Sequence, residues 1–129
     1  MAGTIVADTI QDGAGNSTAM DNAIYGSAKA WVNFNGTSGS VAVRASYNVS
    51  SITRSSAGIY VATFTNAFAD ANYAALYTSA RNNGGNAMSI SSLNAFTSPT
   101  QTTTTVTVSS QDQAANYNDV IVGCIVCFR

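Results

Sequence analysis

The only thiols in the chain stand three residues apart, as Cys124-Ile-Val-Cys127. Such a pair does redox work when it opens a helix, and it binds zinc when a second pair or histidines complete the tetrahedron. Neither condition is met. The pair falls in the apolar run Val120 to Phe128, and the sequence holds no histidine and no further cysteine. On a strand, an offset of three puts the two side chains on opposite faces. Their Cα atoms are then roughly 10 Å apart, beyond the roughly 7 Å that a disulfide spans. Two reduced, packed thiols are expected.

Acid–base chemistry is as short of material. Without histidine there is no Ser-His-Asp or Cys-His arrangement. Without glutamate, a glycosidase-like carboxyl pair would have to be drawn from Asp8, Asp12, Asp21, Asp70, Asp112 and Asp119. All six stand in or beside turns. The segment Asp112 to Asp119, "DQAANYND", offers oxygen atoms of the kind calcium takes, but not at EF-hand spacing, and reads as a polar loop. "GAGNST" from Gly13 matches neither a dinucleotide nor a phosphate loop. No catalytic residue, metal or cofactor is therefore assigned, and a non-enzymatic protein is expected.

Composition points the same way. The chain has 129 residues, 46% of them apolar and only 9% charged, against a usual charged share of about 25%. A net charge of −1, with one lysine and four scattered arginines, gives no basic patch to neutralise phosphates, so no nucleic-acid partner is expected. The longest apolar run is too short for a membrane span, and the first residues lack the pattern of a signal peptide. So few charges give weak mutual repulsion, which suits a protein held in an assembly. The sequons at Asn16, Asn35 and Asn48 are read as chance in a chain so rich in Asn, Ser and Thr.

The elements that position these residues are strands. Ser, Thr, Asn, Ala, Val and Gly dominate, a mix poor in strong helix formers. Residues 1–28 read as an arm or loop with one short strand, either a floppy terminus or an arm ordered against a neighbouring subunit, the second because Ile5, Ile10, Met20 and Ile24 need something to cover them. From residue 29 to 129 a single domain is expected. In "AWVNFN", Ala30, Val32 and Phe34 share one face and Trp31, Asn33 and Asn35 the other. In "VAVRASY", Val41, Val43, Ala45 and Tyr47 share a face, with Arg44 outward. "NVSSIT" and "GIYVATFT" suggest a second hairpin. "NYAALYTSA" and "AMSISSL" suggest a third, around Arg81-Asn-Asn-Gly-Gly-Asn86. "QTTTTVTVSS" is a β-branched run. "VIVGCIVCFR", apolar on both faces, reads as a central strand or one buried at a subunit interface. The whole is expected to be all-β: one antiparallel β-sandwich, jelly-roll-like, of about eight short strands with an extended N-terminal arm. Jelly roll and simpler sandwich give nearly the same strand pattern, so the order stays open.

Without catalytic residues, function must lie in surfaces. Trp31, Phe34, Tyr47, Val120, Val122 and Phe128 are the candidate packing or interface residues. For Trp31 a glycan platform is the other reading. Arg81, Asn82, Asn83, Asn86 and Tyr117 fall on loop tips and form the candidate exposed recognition loop.

Several of these segments carry a resemblance. Trp31-Val-Asn-Phe-Asn-Gly36, Val43-Arg-Ala-Ser-Tyr-Asn-Val-Ser-Ser-Ile52, Tyr60 to Phe64, the corner Asp70-Ala-Asn-Tyr73 and the final Phe128-Arg129 resemble a small β-sandwich domain of tailed bacteriophages and cyanophages. In those phages it occurs as a virion-surface protein or as the distal part of tail fibres and tailspikes. The match covers residues 27–80 well and the C-terminal third loosely. It departs at Arg54 to Ile59, where relatives carry an Asn-Gly-rich hairpin followed by an acid, and at Ala69, where they often have proline. The resemblance implies a β-sandwich without catalytic residues that assembles as a homotrimer on the particle. The expected role there is a decoration or cement protein on the outer surface of the capsid, whose partner is the major capsid protein. It also admits an alternative at the tail tip, among tail proteins and bound to host-surface glycan. A fibre needs an anchor and a shaft and only about 28 residues stand before the sandwich, so the capsid is the expected place, with a small separate subunit at a fibre end as the alternative.

Overall fold

Strict alternation at Ala30, Val32 and Phe34 puts three buried side chains on one side of an eight-residue strand, and the sandwich is built outward from it. In the computed structural model, which describes residues 3, 6–37, 39–81, 90–93 and 100–129, this strand is β3 (Ala28–Asn35). It is followed by β4 (Ala42–Tyr47), β5 (Val49–Ser56), β6 (Ile59–Phe64), β7 (Ala74–Ala80), β8 (Ile90–Leu93), β9 (Thr105–Gln111) and β10 (Val122–Phe128). Two four-stranded antiparallel sheets result, ordered β4-β3-β10-β7 and β5-β6-β9-β8. The expected all-β architecture is what the chain adopts, and the strand order left open by the sequence is now defined. None of the helices among the described residues is long and apolar enough to cross a membrane.

The inner faces meet in one core. β3 contributes Val32 and Phe34, β6 Tyr60, Ala62 and Phe64, β9 Val106 and Val108, and β10 Ile125 and Cys127. Phe34 and Tyr60 pack ring to ring at 5.0 Å. Phe64, Phe68 and Tyr73 form a second aromatic group, with Phe68 stacked on Tyr73 at 4.4 Å. β10 lies between β3 and β7. That central place explains why its sequence is apolar on both faces. Gly123 on this strand leaves room for a neighbour: a Cβ there would come within 2.4 Å of the Phe34 ring.

Two sequence-based expectations are corrected. "VAVRASY" does not keep one face. The register of β3 with β4 shifts between Asn33 and Phe34, so Tyr47 and Ala45 lie opposite Trp31 and Asn33, whereas Val43 lies opposite Phe34. One extra residue in a ladder reverses the side that every later side chain faces. β7 and β8 are not a hairpin either. β7 pairs with β10 along its full length and β8 pairs with β9, so the chain crosses between sheets there. The Asn-Gly-Gly turn itself, residues 82–86, is outside the described residues.

Ahead of the sandwich, the expected single strand is a hairpin, β1 (Thr9–Gln11) with β2 (Ser17–Ala19), and a short helix α1 (Met20–Gly26) follows. The hairpin is closed by Asp12, whose Oδ1 accepts the N–H groups of Ala14 and Asn16, each at 2.9 Å. Such an Asx turn is a local substitute for a backbone turn.

Candidate functional site

The polar groups that could do chemistry are engaged in structure. Asp119 Oδ1 accepts from Arg54 Nε at 2.8 Å and from the Gly58 N–H at 2.9 Å, and lies 3.2 Å from the Tyr60 hydroxyl. That hydroxyl also donates to the Gly36 carbonyl at 2.9 Å and accepts the Val120 N–H at 3.1 Å. Burial works to raise the Asp119 pKa, but the bonds from Arg54 and Gly58 outweigh it and hold the carboxyl below its ordinary value. Burial pushes the Tyr60 phenol up to about 12. The group is an ion-paired clamp between the entry to β10 and the second sheet. Near neutral pH it holds a carboxylate and a neutral phenol, neither poised to exchange a proton there.

Asp112 is similarly occupied. Its Oδ1 accepts the N–H groups of Ala114 (3.0 Å) and Asn116 (2.9 Å), and its Oδ2 accepts the side-chain amides of Asn116 and Asn118. The N–H of Asn116 is the leading cause holding its pKa below the ordinary carboxylate range. These contacts are all donors, the reverse of what a cation needs. Among the described residues no group of three or more His, Cys, Asp or Glu side chains could hold a metal. Both cysteines are free thiols. Cys127 is in the core, where burial raises its pKa to about 12. Cys124 is on the opposite face of β10 and accepts from Asn33 Nδ2 at 3.1 Å.

The outer face of the β4-β3-β10-β7 sheet has a different character. Tyr47 lies opposite Trp31, Trp31 opposite Val126, and Val126 opposite Leu76. This row of four large apolar side chains crosses all four strands. Tyr47 is 58% exposed, Leu76 56% and Trp31 37%, while Val126 is half-buried between its neighbours. Phe128, opposite Ala74, extends the row, and Val122, opposite Ala80, stands at the far end of β10. Single exposed apolar residues are ordinary; a contiguous row spanning a sheet is the kind of surface that another surface can cover. Arg44, placed by the bulge, borders it, with Nη1 3.3 Å from Asn33 Oδ1 and Nη2 2.7 Å from the Ile121 carbonyl.

The structure divides the residues singled out from sequence. Trp31, Tyr47, Val122 and Phe128 share this outer face, whereas Phe34 and Val120 are buried in the core and act in packing alone. Leu76 and Val126 belong to the surface and were not singled out. The alternation of "AALYTSA" around buried Tyr77 was the available signal for Leu76, but its value depends on β10 being the neighbour. Arg81, expected at an exposed tip, is instead drawn in: its side chain is 5% exposed and stands 4.0 Å from Asp112. Tyr117 is half-buried, bridged to Gln111 by backbone pairing. Asn82, Asn83 and Asn86 lie outside the described residues.

Comparison with known protein families, with curated proteins and with solved structures finds no match to this chain.

Proposed function

We propose that this chain is a non-enzymatic structural subunit of a tailed-bacteriophage particle, a homotrimeric decoration protein on the outer surface of the capsid that also assists host recognition. The observation that carries the reading is the exposed row Tyr47–Trp31–Val126–Leu76 on a sandwich with so few charges. Such a surface is at home when covered by another protein surface. The saturated carboxylates of Asp112 and Asp119 support the non-enzymatic part, because neither leaves an acid, a base or a ligand position free. The phage assignment is supported by the resemblance of the segments between residues 27 and 80.

The test is the copy number of the chain on purified particles that carry it, by quantitative mass spectrometry against the major capsid protein. A simple stoichiometric ratio to the capsid subunits is the expected result. A few copies per particle would overturn the capsid location and make the tail tip, with host glycan as ligand, the reading to pursue.

A further inference from the structure

Charge is divided unevenly along the chain. Residues 1–28 hold Asp8, Asp12 and Asp21 and no lysine or arginine, whereas all five cations lie in residues 29–129 with the other three aspartates. Within the sandwich those three aspartates are paired: Asp119 with Arg54, Asp112 with Arg81, and Asp70 with Arg129. Lys29 and Arg44 are the two cations without a carboxylate partner among the described residues. Both border the apolar outer row. Lys29 precedes Trp31 by two positions on β3, and Arg44 reaches over Asn33.

The arm has the complementary deficit. Every residue of β1 and β2 is exposed, and so are Val6, Ile10, Ile24 and Tyr25. An isolated two-stranded hairpin is marginal in water and gains stability by laying an apolar side on another surface. The arm thus offers apolar side chains and, in Asp8 and Asp12, carboxylates with no cation partner among the described residues, and the sheet face offers apolar side chains and two cations with no carboxylate partner there. Among the described residues of one chain both remain uncovered. A neighbouring copy supplies what each lacks: in a closed homotrimer the arm of each copy meets the face of the next.

We propose that the arm of one copy, residues 6–28, lies across the outer β4-β3-β10-β7 face of a second copy. Ile10, Ile24 and Tyr25 then cover Trp31, Tyr47, Val126 and Leu76, with the arm's aspartates set against Lys29 and Arg44. This deepens the homo-oligomer part of the proposed function and rests on that part alone, not on the location in the virion.

Charge exchange in the full chain tests it, read by light scattering after size exclusion, with the melting temperature as a check on folding. The wild-type chain is expected to run as an oligomer. An arm-reversed variant (Asp8→Lys with Asp21→Lys) and a face-reversed variant (Lys29→Glu with Arg44→Glu) are each expected to fall to monomer mass. Mixing the two is expected to restore a species heavier than monomer, because the basic arm of one meets the acidic face of the other. One like-with-like contact would remain in a ring of three, so the mixture is expected to stop short of the wild-type trimer. Leu76→Asp, which disturbs no bond within the chain, is expected to give a folded monomer whether or not the face-reversed variant folds. A monomeric wild type would overturn the proposal. So would reversed variants that keep wild-type mass, or a folded pair that stays monomeric on mixing, the behaviour of an arm packed on its own chain. An oligomer indifferent to all of these changes sinks arm exchange and leaves the virion reading intact, whereas a low copy number on particles does the opposite.

Discussion

The two sheets share one core, yet their outer faces differ. On the β5-β6-β9-β8 sheet, Ser51 lies opposite Thr63 and Thr63 opposite Thr105, a row of hydroxyls that water can satisfy. At the corresponding place on the other sheet the row is Tyr47, Trp31, Val126 and Leu76. Both faces suit a strand equally, since threonine, valine and aromatic residues all favour the pleated conformation. Strand formation therefore does not explain the difference; the proposed association accounts for it. The consequence is a separation of effects: changes to the core and its clamps should move stability and leave the oligomer, and changes on the apolar outer face should do the reverse.

The largest effect is expected on β3, where inward and outward residues alternate. Phe34→Ala removes a ring packed against Tyr60 and beneath Gly123, and should cost about 3–5 kcal/mol in denaturant unfolding. A loss below about 1 kcal/mol would break the comparison, because the inner face would then matter no more than the outer.

Next comes the clamp that ties the entry of β10 to the second sheet. Asp119→Asn weakens the bonds from Arg54 and Gly58 and should cost about 1–3 kcal/mol. The pH dependence carries the same information. The folded carboxyl has a depressed pKa, so its contribution is present above the unfolded value of about 3.9 and is lost as pH falls through the lower, folded one. The carboxyls of Asp12, Asp70 and Asp112 are depressed too. The melting temperature should therefore hold level from neutral pH to about 5 and fall below about 4. The Asp119→Asn variant should fall less steeply, and a parallel fall would remove Asp119 from the account.

A smaller effect is expected where the fold uses one turn twice. Gln11-Asp-Gly-Ala-Gly-Asn16 and Gln111-Asp-Gln-Ala-Ala-Asn116 share the aspartate acceptor, the Asn bonds back to it and a residue of positive φ, Gly15 at 88° and Ala115 at 63°. Alanine pays for that conformation through its Cβ, so Ala115→Gly should raise stability by about 1 kcal/mol with no change of mass in solution. A destabilised variant would mean that the Ala115 methyl contributes packing that outweighs its strain.

These cases also show what could be read from the sequence. Ala30, Val32 and Phe34 were legible because period-two alternation is a local property, and the central place of β10 because apolar residues on both faces leave a strand few other positions. The bulge beside Phe34 was not legible: it depends on how β4 registers against β3, and nothing local to "VAVRASY" announces it. The β7–β8 crossover was hidden for a similar reason. An Asn-Gly-Gly segment favours reversal of the chain, but the partner of β7 is chosen by β10, more than forty residues away. Leu76 joins the outer row only through that pairing. Arg81 is buried because Asp112 is brought near it from another loop. Local chemistry was readable from the sequence, whereas pairing across the fold was not.

The smallest effect on stability is expected at the outer row itself, and it separates the two roles most sharply. Leu76 is more than half exposed and lies opposite Val126 on the face away from the core. Leu76→Ser removes apolar area that folding leaves largely in water, so unfolding should shift by no more than about 0.5 kcal/mol. The matching change on the hydroxyl face, Thr53→Ser, should be as mild. Stability thus cannot tell the two faces apart, but association can. In the proposed oligomer Leu76 is covered, and its loss should weaken assembly measurably on dilution, while Thr53→Ser should leave the dilution profile of the wild type. If both substitutions leave that profile unchanged, the apolar row is not the association surface, and the contrast between the faces has no functional meaning.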